Sequence, residues 1–163
     1  MKKIFALCLM AIMGVVLAAS KEALAFLPNF ELVTLLLILF TLCFGRYVIG
    51  ALGVFLLLEG LLYGFGLWWA MYLYVWPLLA GLAWLFRWMD RAWQWALLAG
   101  GYGLCFGSLC ALAYLPLGGA SMALAWAIAG LPFDFIHAGA NFLLALVLYR
   151  PLRTVLDRLP SIT

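Results

Sequence analysis

The chain has 163 residues, of which 70% are apolar or aromatic and 9% are charged. An average soluble domain is about half apolar and about a quarter charged, and a globule of this size could not hide so much apolar surface from water. A membrane-spanning helix takes about 20 residues, so the length allows roughly six spans with short connections. The composition therefore excludes a soluble catalytic, nucleotide-binding or nucleic-acid-binding domain.

Turn residues and charges divide residues 1–163 into six predicted spans of a single membrane domain. The runs between them are continuously apolar, which favours helices, because the strands of a membrane barrel alternate in polarity. Pro132 indicates the start of the last span, since proline suits the first turn of a helix. The Gly- and Ala-rich residues 117–131 lie between the fifth and sixth spans and have room for a short extra helix. The predicted fold is an all-α bundle of six transmembrane helices over about 4–26, 31–44, 47–65, 69–86, 93–115 and 132–149.

The basic residues orient this bundle. With six spans, only Lys21 falls on one side of the membrane, and the other basic residues fall on the opposite side: Lys2, Lys3, Arg46, Arg87, Arg91, Arg150, Arg153 and Arg158. The positive-inside rule makes that opposite side cytoplasmic, so both termini are predicted to be cytoplasmic. The basic balance thus reflects topology and predicts no nucleic-acid partner. The first run also fits a cleaved signal peptide, whose removal would leave five spans.

The sixth predicted span has one polar face. Asp134, His137 and Asn141 are spaced i, i+3, i+7 and share a side of the helix. Ionisable groups inside a membrane are costly, which makes them candidates for function. The alternative is that Asp134 caps the helix while the other two side chains tie helices together. Lipid is expected to contact the opposite face, which carries Ile136, Leu143 and Val147.

Glu59 is a second candidate, because it lies about a dozen residues into the third span, at the depth expected for His137. It could instead reach the outer interface. Near the same depth lies an aromatic group at the outer end of span four: Trp68, Trp69, Tyr72, Tyr74 and Trp76. Such a group is typical of an interfacial belt. Beside carboxylates, however, aromatic planes also suit a flat heteroaromatic or cationic ligand.

Small residues form a stripe on the first span, with Ala11, Gly14 and Ala18 at i, i+3, i+7. Such stripes let helices approach closely, either within one protein or at a partner's docking face. Signals for an enzyme are poor. One histidine cannot build a multi-histidine metal site, and no serine lies in a nucleophile-elbow context. We therefore expect no catalytic residues, no metal and no cofactor.

The segment Gly130-Leu-Pro-Phe-Asp-Phe-Ile-His-Ala-Gly-Ala-Asn141, followed by Leu148-Tyr-Arg-Pro-Leu-Arg153, resembles the last span of the S components of energy-coupling factor transporters. These are six-span substrate-capture subunits of bacterial vitamin importers. Leu27-Pro-Asn-Phe-Glu-Leu-Val-Thr34 is similar to the loop that leads into the family's short second span. The stretch from Gly64 to Pro77 is similar to the start of its fourth span.

This resemblance implies a binding subunit of a bacterial cell-membrane importer, without catalysis of its own. Its partners would be a membrane coupling subunit and two cytoplasmic ATPases, and its ligand a vitamin-like small molecule bound near the outer face. The docking stripe would be Ala11, Gly14 and Ala18. The rival interpretations are a structural membrane subunit of a cell-envelope assembly and a small membrane enzyme using Asp134 and His137. The substrate-binding residues implied are Asn29, Glu31, Glu59, Trp69, Tyr72, Asp134, His137 and Asn141.

Overall fold

The apolar runs of the sequence form helices throughout the computed structural model, which describes residues 2–159. In chain order these are α1 (Lys2–Ala23), α2 (Val33–Phe44), α3 (Tyr47–Tyr63), α4 (Leu67–Leu85), α5 (Ala92–Ala111), a short 3₁₀ turn (Leu112–Tyr114) and α6 (Leu115–Leu156). The described part of the chain contains no strand. The all-helical prediction is therefore confirmed, and the first four helices lie within three residues of their predicted bounds.

The predicted boundary between the last two spans is wrong. Helical hydrogen bonding continues from α5 through the 3₁₀ turn into α6, so residues 2–159 contain five helical stretches instead of six. The helix in residues 117–131, for which the sequence left room, is continuous with the last span, and Pro132 lies inside α6 instead of at its start. A proline in this position removes one backbone hydrogen bond but does not end the helix, as is common within membranes.

The chain nevertheless reverses direction inside this last stretch. Gly118 and Gly119 have non-helical backbone angles, and the φ of Gly119 is +70°, a conformation that glycine adopts without strain. Beyond them α6 runs back along α5. The Tyr114 and Trp126 rings stack with centroids 4.4 Å apart, and the Gly107 N–H donates to Asp134. The two glycines thus form the turn of a helical hairpin.

Three helical stretches are long and apolar enough to cross a membrane: Lys3–Ala23, Leu67–Leu85 and Ala92–Leu156. The apolar helices α2 and α3 are shorter. Many large apolar side chains face outward, as at Ile49, Leu61 and Val147. Exposed apolar surface of this extent is rare on soluble monomers. The structure is therefore consistent with a membrane protein.

Helix α2 lies at the centre of the protein and positions the site. It packs against α1, α3, α4 and α6, and every residue from Val33 to Thr41 is buried. A helix that is apolar on all sides belongs in such an interior. Beside α2, the helices α5 and α6 pack closely, since Gly103 has no side chain. A Cβ at this position would lie only 3.0 Å from the backbone of His137. This contact holds the polar face of α6 toward the centre.

Candidate ligand-binding site

A cavity of about 430 Å³ lies beyond the N-terminal end of α2. It is at the end of the protein where α1 and α3 finish and α4 begins, away from the arginine-rich end. The connection between α1 and α2 supplies part of its wall through Pro28, Asn29 and Glu31. The ionisable and aromatic residues that line the cavity are Lys21, Glu22, Phe30, Glu31, Tyr63, Tyr72, Trp76, Phe106, Asp134 and His137.

Glu31 connects the α1–α2 segment to α6. One of its carboxylate oxygens lies 3.1 Å from His137 Nε2, and the other accepts a 2.8 Å hydrogen bond from the Thr34 N–H at the start of α2. Burial raises the pKa of this connecting-segment carboxyl, but the hydrogen bonds from His137 and Thr34 outweigh it, so its pKa lies below the ordinary value. Glu31 is therefore a charged group at the cavity wall.

Asp134 does not cap its own helix, because α6 begins well before it. Its Oδ1 accepts a 2.9 Å hydrogen bond from the Gly107 N–H of α5. Its Oδ2 is buried without a hydrogen-bond partner. Gly107 permits this approach, since a Cβ there would lie 2.6 Å from Oδ2. Asp134, a residue of the cavity wall, thus has one structural hydrogen bond and one unpartnered oxygen.

Lys21, at the end of α1, pairs with the fully buried Glu59 of α3. The Lys21 ammonium also lies 4.7 Å from the centroid of the Tyr63 ring, and the Tyr63 hydroxyl donates to Glu22. Isolated buried charges are strongly disfavoured, so this pairing explains how Glu59 is accommodated. The network connects the ends of α1 and α3 at the rim of the cavity.

Aromatic rings form a continuous wall along one side of the cavity, which we call the aromatic wall: Tyr72, Trp76, Phe106 and the His137 imidazole. The Trp76 centroid is 5.5 Å from those of Tyr72 and Phe106, and Phe106 is 5.0 Å from His137. Such spacings are typical of favourable aromatic contacts. The Trp76 indole N–H is buried and has no hydrogen-bond partner.

The structure brings five of the eight predicted binding residues to this cavity: Asn29, Glu31, Tyr72, Asp134 and His137. Of the other three, Glu59 contacts the cavity-lining Lys21 but does not itself line the cavity. Asn141 lies deeper and donates to the Thr34 hydroxyl at 3.2 Å. Trp69 donates its indole N–H to the Leu56 carbonyl at 2.8 Å, which is a tie between α4 and α3.

Sequence reasoning did not assign Lys21, Trp76 or Phe106 to the site. The sequence did distinguish Lys21, because it was the one basic residue predicted on the outer side of the membrane. Trp76 belonged to the aromatic group already noted on span four. Phe106 carried no polar signal, and only the α5–α6 contact brings it to His137.

The small-residue stripe on α1 is largely internal. Gly14 and Ala18 are buried. A Cβ at position 14 would lie only 2.6 Å from Val54 Cβ and 2.7 Å from the Ala51 carbonyl oxygen, both on α3. Gly14 therefore allows α1 and α3 to pack closely. Ala11 alone of the three faces outward.

Residues 2–159 hold no group of three or more His, Cys, Asp or Glu side chains that could bind a metal ion. The chain matches no protein-family model, and no curated protein or solved structure is significantly similar to it.

Proposed function

We propose that this chain is the substrate-binding S component of an energy-coupling factor importer in a bacterial cell membrane. In this proposal it has six spans with both termini cytoplasmic. It captures a vitamin-like small molecule at the outer face and delivers it inward with a membrane coupling subunit and two cytoplasmic ATPases. It is not itself an enzyme.

The observation that supports this proposal best is the cavity of about 430 Å³, lined by aromatic rings and by a few polar groups. Its volume falls within the range of about 300–1,000 Å³ found for small-molecule sites. A purely structural membrane subunit would gain nothing from the burial of unpartnered polar atoms beside a cavity.

The positions of the charges support the proposed orientation. The cavity lies at the end of the bundle that contains Lys21, and the opposite end carries the arginines of the α2–α3 and α4–α5 turns, Arg46, Arg87 and Arg91. If the arginine-rich end is cytoplasmic, as the positive-inside rule expects, the cavity opens outward. That is where an importer captures its substrate.

The test begins with protein purified from its native membrane. Mass spectrometry should identify a co-purifying small molecule, and readdition of that molecule should quench tryptophan fluorescence through Trp76 in the aromatic wall. His137→Ala removes a ring of this wall and the partner of Glu31, so we expect the dissociation constant to rise at least about tenfold. Asp90→Asn, at the opposite end, is the matched control and should bind normally.

Cells that carry the chain with its coupling module should accumulate the identified molecule in an ATP-dependent manner. Deletion of the chain should abolish accumulation. A protein that binds no small molecule and supports no uptake, yet is required for cell shape, would establish the structural rival. Conversion of the molecule by the purified chain alone would establish the enzyme.

A further inference from the structure

Two residues of the cavity wall each leave one buried polar atom without a hydrogen-bond partner. These atoms are Trp76 Nε1 and Asp134 Oδ2, on residues that are only 2% and 4% exposed. An unsatisfied buried polar group costs about 1–3 kcal/mol, and proteins leave few of them. Of these two atoms, the Asp134 oxygen is the one that restricts the charge of a bound group, and we infer that a ligand supplies its missing partner.

The chemistry of each atom restricts the group that can pair with it. An indole N–H can only donate a hydrogen bond, and an ionised carboxylate can only accept one. When Asp134 is ionised, its free oxygen therefore requires a donor, such as an N–H group of the ligand, and a cationic donor beside it favours that ionised form. Hydrogen bonds between a cationic N–H group and a carboxylate are roughly twice as strong as neutral ones.

The charges around the cavity favour the same kind of ligand. Its wall contains the carboxylates of Glu22, Glu31 and Asp134 but only one lysine. That lysine, Lys21, is already paired with Glu59. The His137 ring is paired with Glu31. No free cation of the described wall is left to receive a carboxylate or phosphate ester, and the electrostatic field of the excess carboxylates repels anions.

The aromatic wall adds a requirement of shape. Tyr72, Trp76 and Phe106 present ring surfaces and edges with centroids 5.5 Å apart along the wall. A flat ring can stack against such side chains, and a cationic ring gains further attraction from their faces. Trp76 and Phe106 lie on different helices, α4 and α5, so the flat surface is built by packing between helices.

Resting on the proposed ligand-binding function, we propose that the cavity selects flat aromatic ligands that carry a cationic N–H donor. The donor binds the free oxygen of Asp134, and the ring lies against the aromatic wall. Anionic molecules of the same shape are excluded by the uncompensated carboxylates. Asp134 is thus the residue that determines the charge of the accepted ligand.

Three probes of nearly identical shape test this selection: benzamidinium, benzamide and benzoate, which are cationic, neutral and anionic at neutral pH. Their binding is measured by calorimetry or tryptophan fluorescence on the full-length protein in nanodiscs at low salt, after any co-purified molecule has been removed. We expect benzamidinium to bind at least about tenfold more tightly than benzamide, from one charge-assisted hydrogen bond. Benzoate should bind most weakly.

Asp134→Asn is the deciding variant, because an asparagine Oδ1 can still accept the hydrogen bond from Gly107 and preserve the α5–α6 contact. It should abolish the preference for benzamidinium and leave the binding of benzamide little changed. Asp90→Asn removes the same charge at the opposite end of the protein and should leave the order of the probes intact. This control separates a local contact from the net charge.

Three results would each overturn the proposal: benzoate binding as tightly as benzamidinium, an order of probes that Asp134→Asn does not alter, or no binding of any probe at millimolar concentration. The proposed transport function has a different test. A protein with the expected probe order but no role in uptake would retain this ligand class and lose the importer assignment. A protein that transports its substrate but prefers benzoate would retain the importer assignment and lose this ligand class.

Discussion

Glu59 is fully buried in α3, and its charge is balanced by Lys21 from the end of α1. The lysine side chain keeps 28% of its surface exposed, so the pair joins the protein interior to the rim of the cavity. Removing one member of a buried pair is far more costly than removing both, because the remaining charge is left without compensation. This asymmetry makes the pair testable.

Lys21→Met should lower the stability of the protein by about 3 kcal/mol, because it leaves the Glu59 carboxylate buried and unpaired. The Lys21→Met/Glu59→Gln double variant should recover most of that loss. Thermal unfolding in nanodiscs measures both. Glu22→Gln is the matched control, since Glu22 is an exposed partner and its loss should cost at most about 1 kcal/mol. If Lys21→Met unfolds like the unmodified protein, the pair does not stabilise the fold.

At the scale of the residue, five of the eight binding residues predicted from the sequence line the cavity. The i, i+3, i+7 spacing placed Asp134, His137 and Asn141 on one face, and all three are buried. The opposite face is exposed at Ile136, Leu143 and Val147, as predicted. The partners of these side chains could not be predicted, because Gly107, Thr34 and Glu31 lie on other elements and a single sequence holds no information on which helices meet.

At the scale of the element, α1 has two sides with different roles. The side with Gly14 packs on α3. The other side is exposed, and it includes Ala11 and large apolar residues such as Ile12 and Val15. Any partner that contacts α1 laterally must therefore use the side that includes Ala11.

Ala11→Trp should prevent co-purification with the proposed coupling subunit, because a bulky ring on the exposed side would block close helix approach. Ligand binding and thermal stability of the isolated chain should be unchanged. Gly14→Leu should instead destabilise the chain itself, by about 1–3 kcal/mol or more, since its Cβ would overlap Val54 and the Ala51 carbonyl. Retention of the coupling subunit by Ala11→Trp would argue against docking through this side of α1.

The sequence predicted the first four helices closely, because Pro28, Gly45, Gly64 and the charged 87–91 turn interrupt apolar runs at their ends. It misplaced the start of the last helix for a physical reason. Proline is common at the start of a helix, so the sequence predicts Pro132 as the first residue of the last span. The helix is interrupted earlier instead, at Gly118 and Gly119. After that pair, the segment up to Pro132 is rich in alanine, a strong helix former, and it is helical although most of it is exposed.

At the scale of the whole molecule, the proposed orientation places the α1–α2 connection outside the cell and the α4–α5 turn inside. Phe26 and Trp88 are well suited to test this, since they lie in these two connections and are 76% and 70% exposed. Each can be replaced by cysteine in a background that lacks the four native cysteines.

In intact cells, Phe26→Cys should react with a membrane-impermeant thiol reagent, because its side chain would face the outer solution. Trp88→Cys should react only after the cells are permeabilised. The comparison is internal, since the two sites have similar exposure in the protein. Labelling of Trp88→Cys alone in intact cells would invert the orientation and place the cavity on the cytoplasmic side.

The short central helix α2 has a consequence for the depth at which a ligand would bind. Its 12 residues span about 18 Å at about 1.5 Å per residue, whereas the hydrocarbon core of a bilayer is about 30 Å thick. The middle of the protein therefore lacks about two helical turns of filling, and the cavity begins where α2 stops. If this unfilled length lies at the outer end of α2, a bound molecule would lie below the level of the lipid headgroups and would have lost much of its hydration. An insertion that extended α2 toward Asn29 would therefore fill the cavity with helix and leave no room for a ligand.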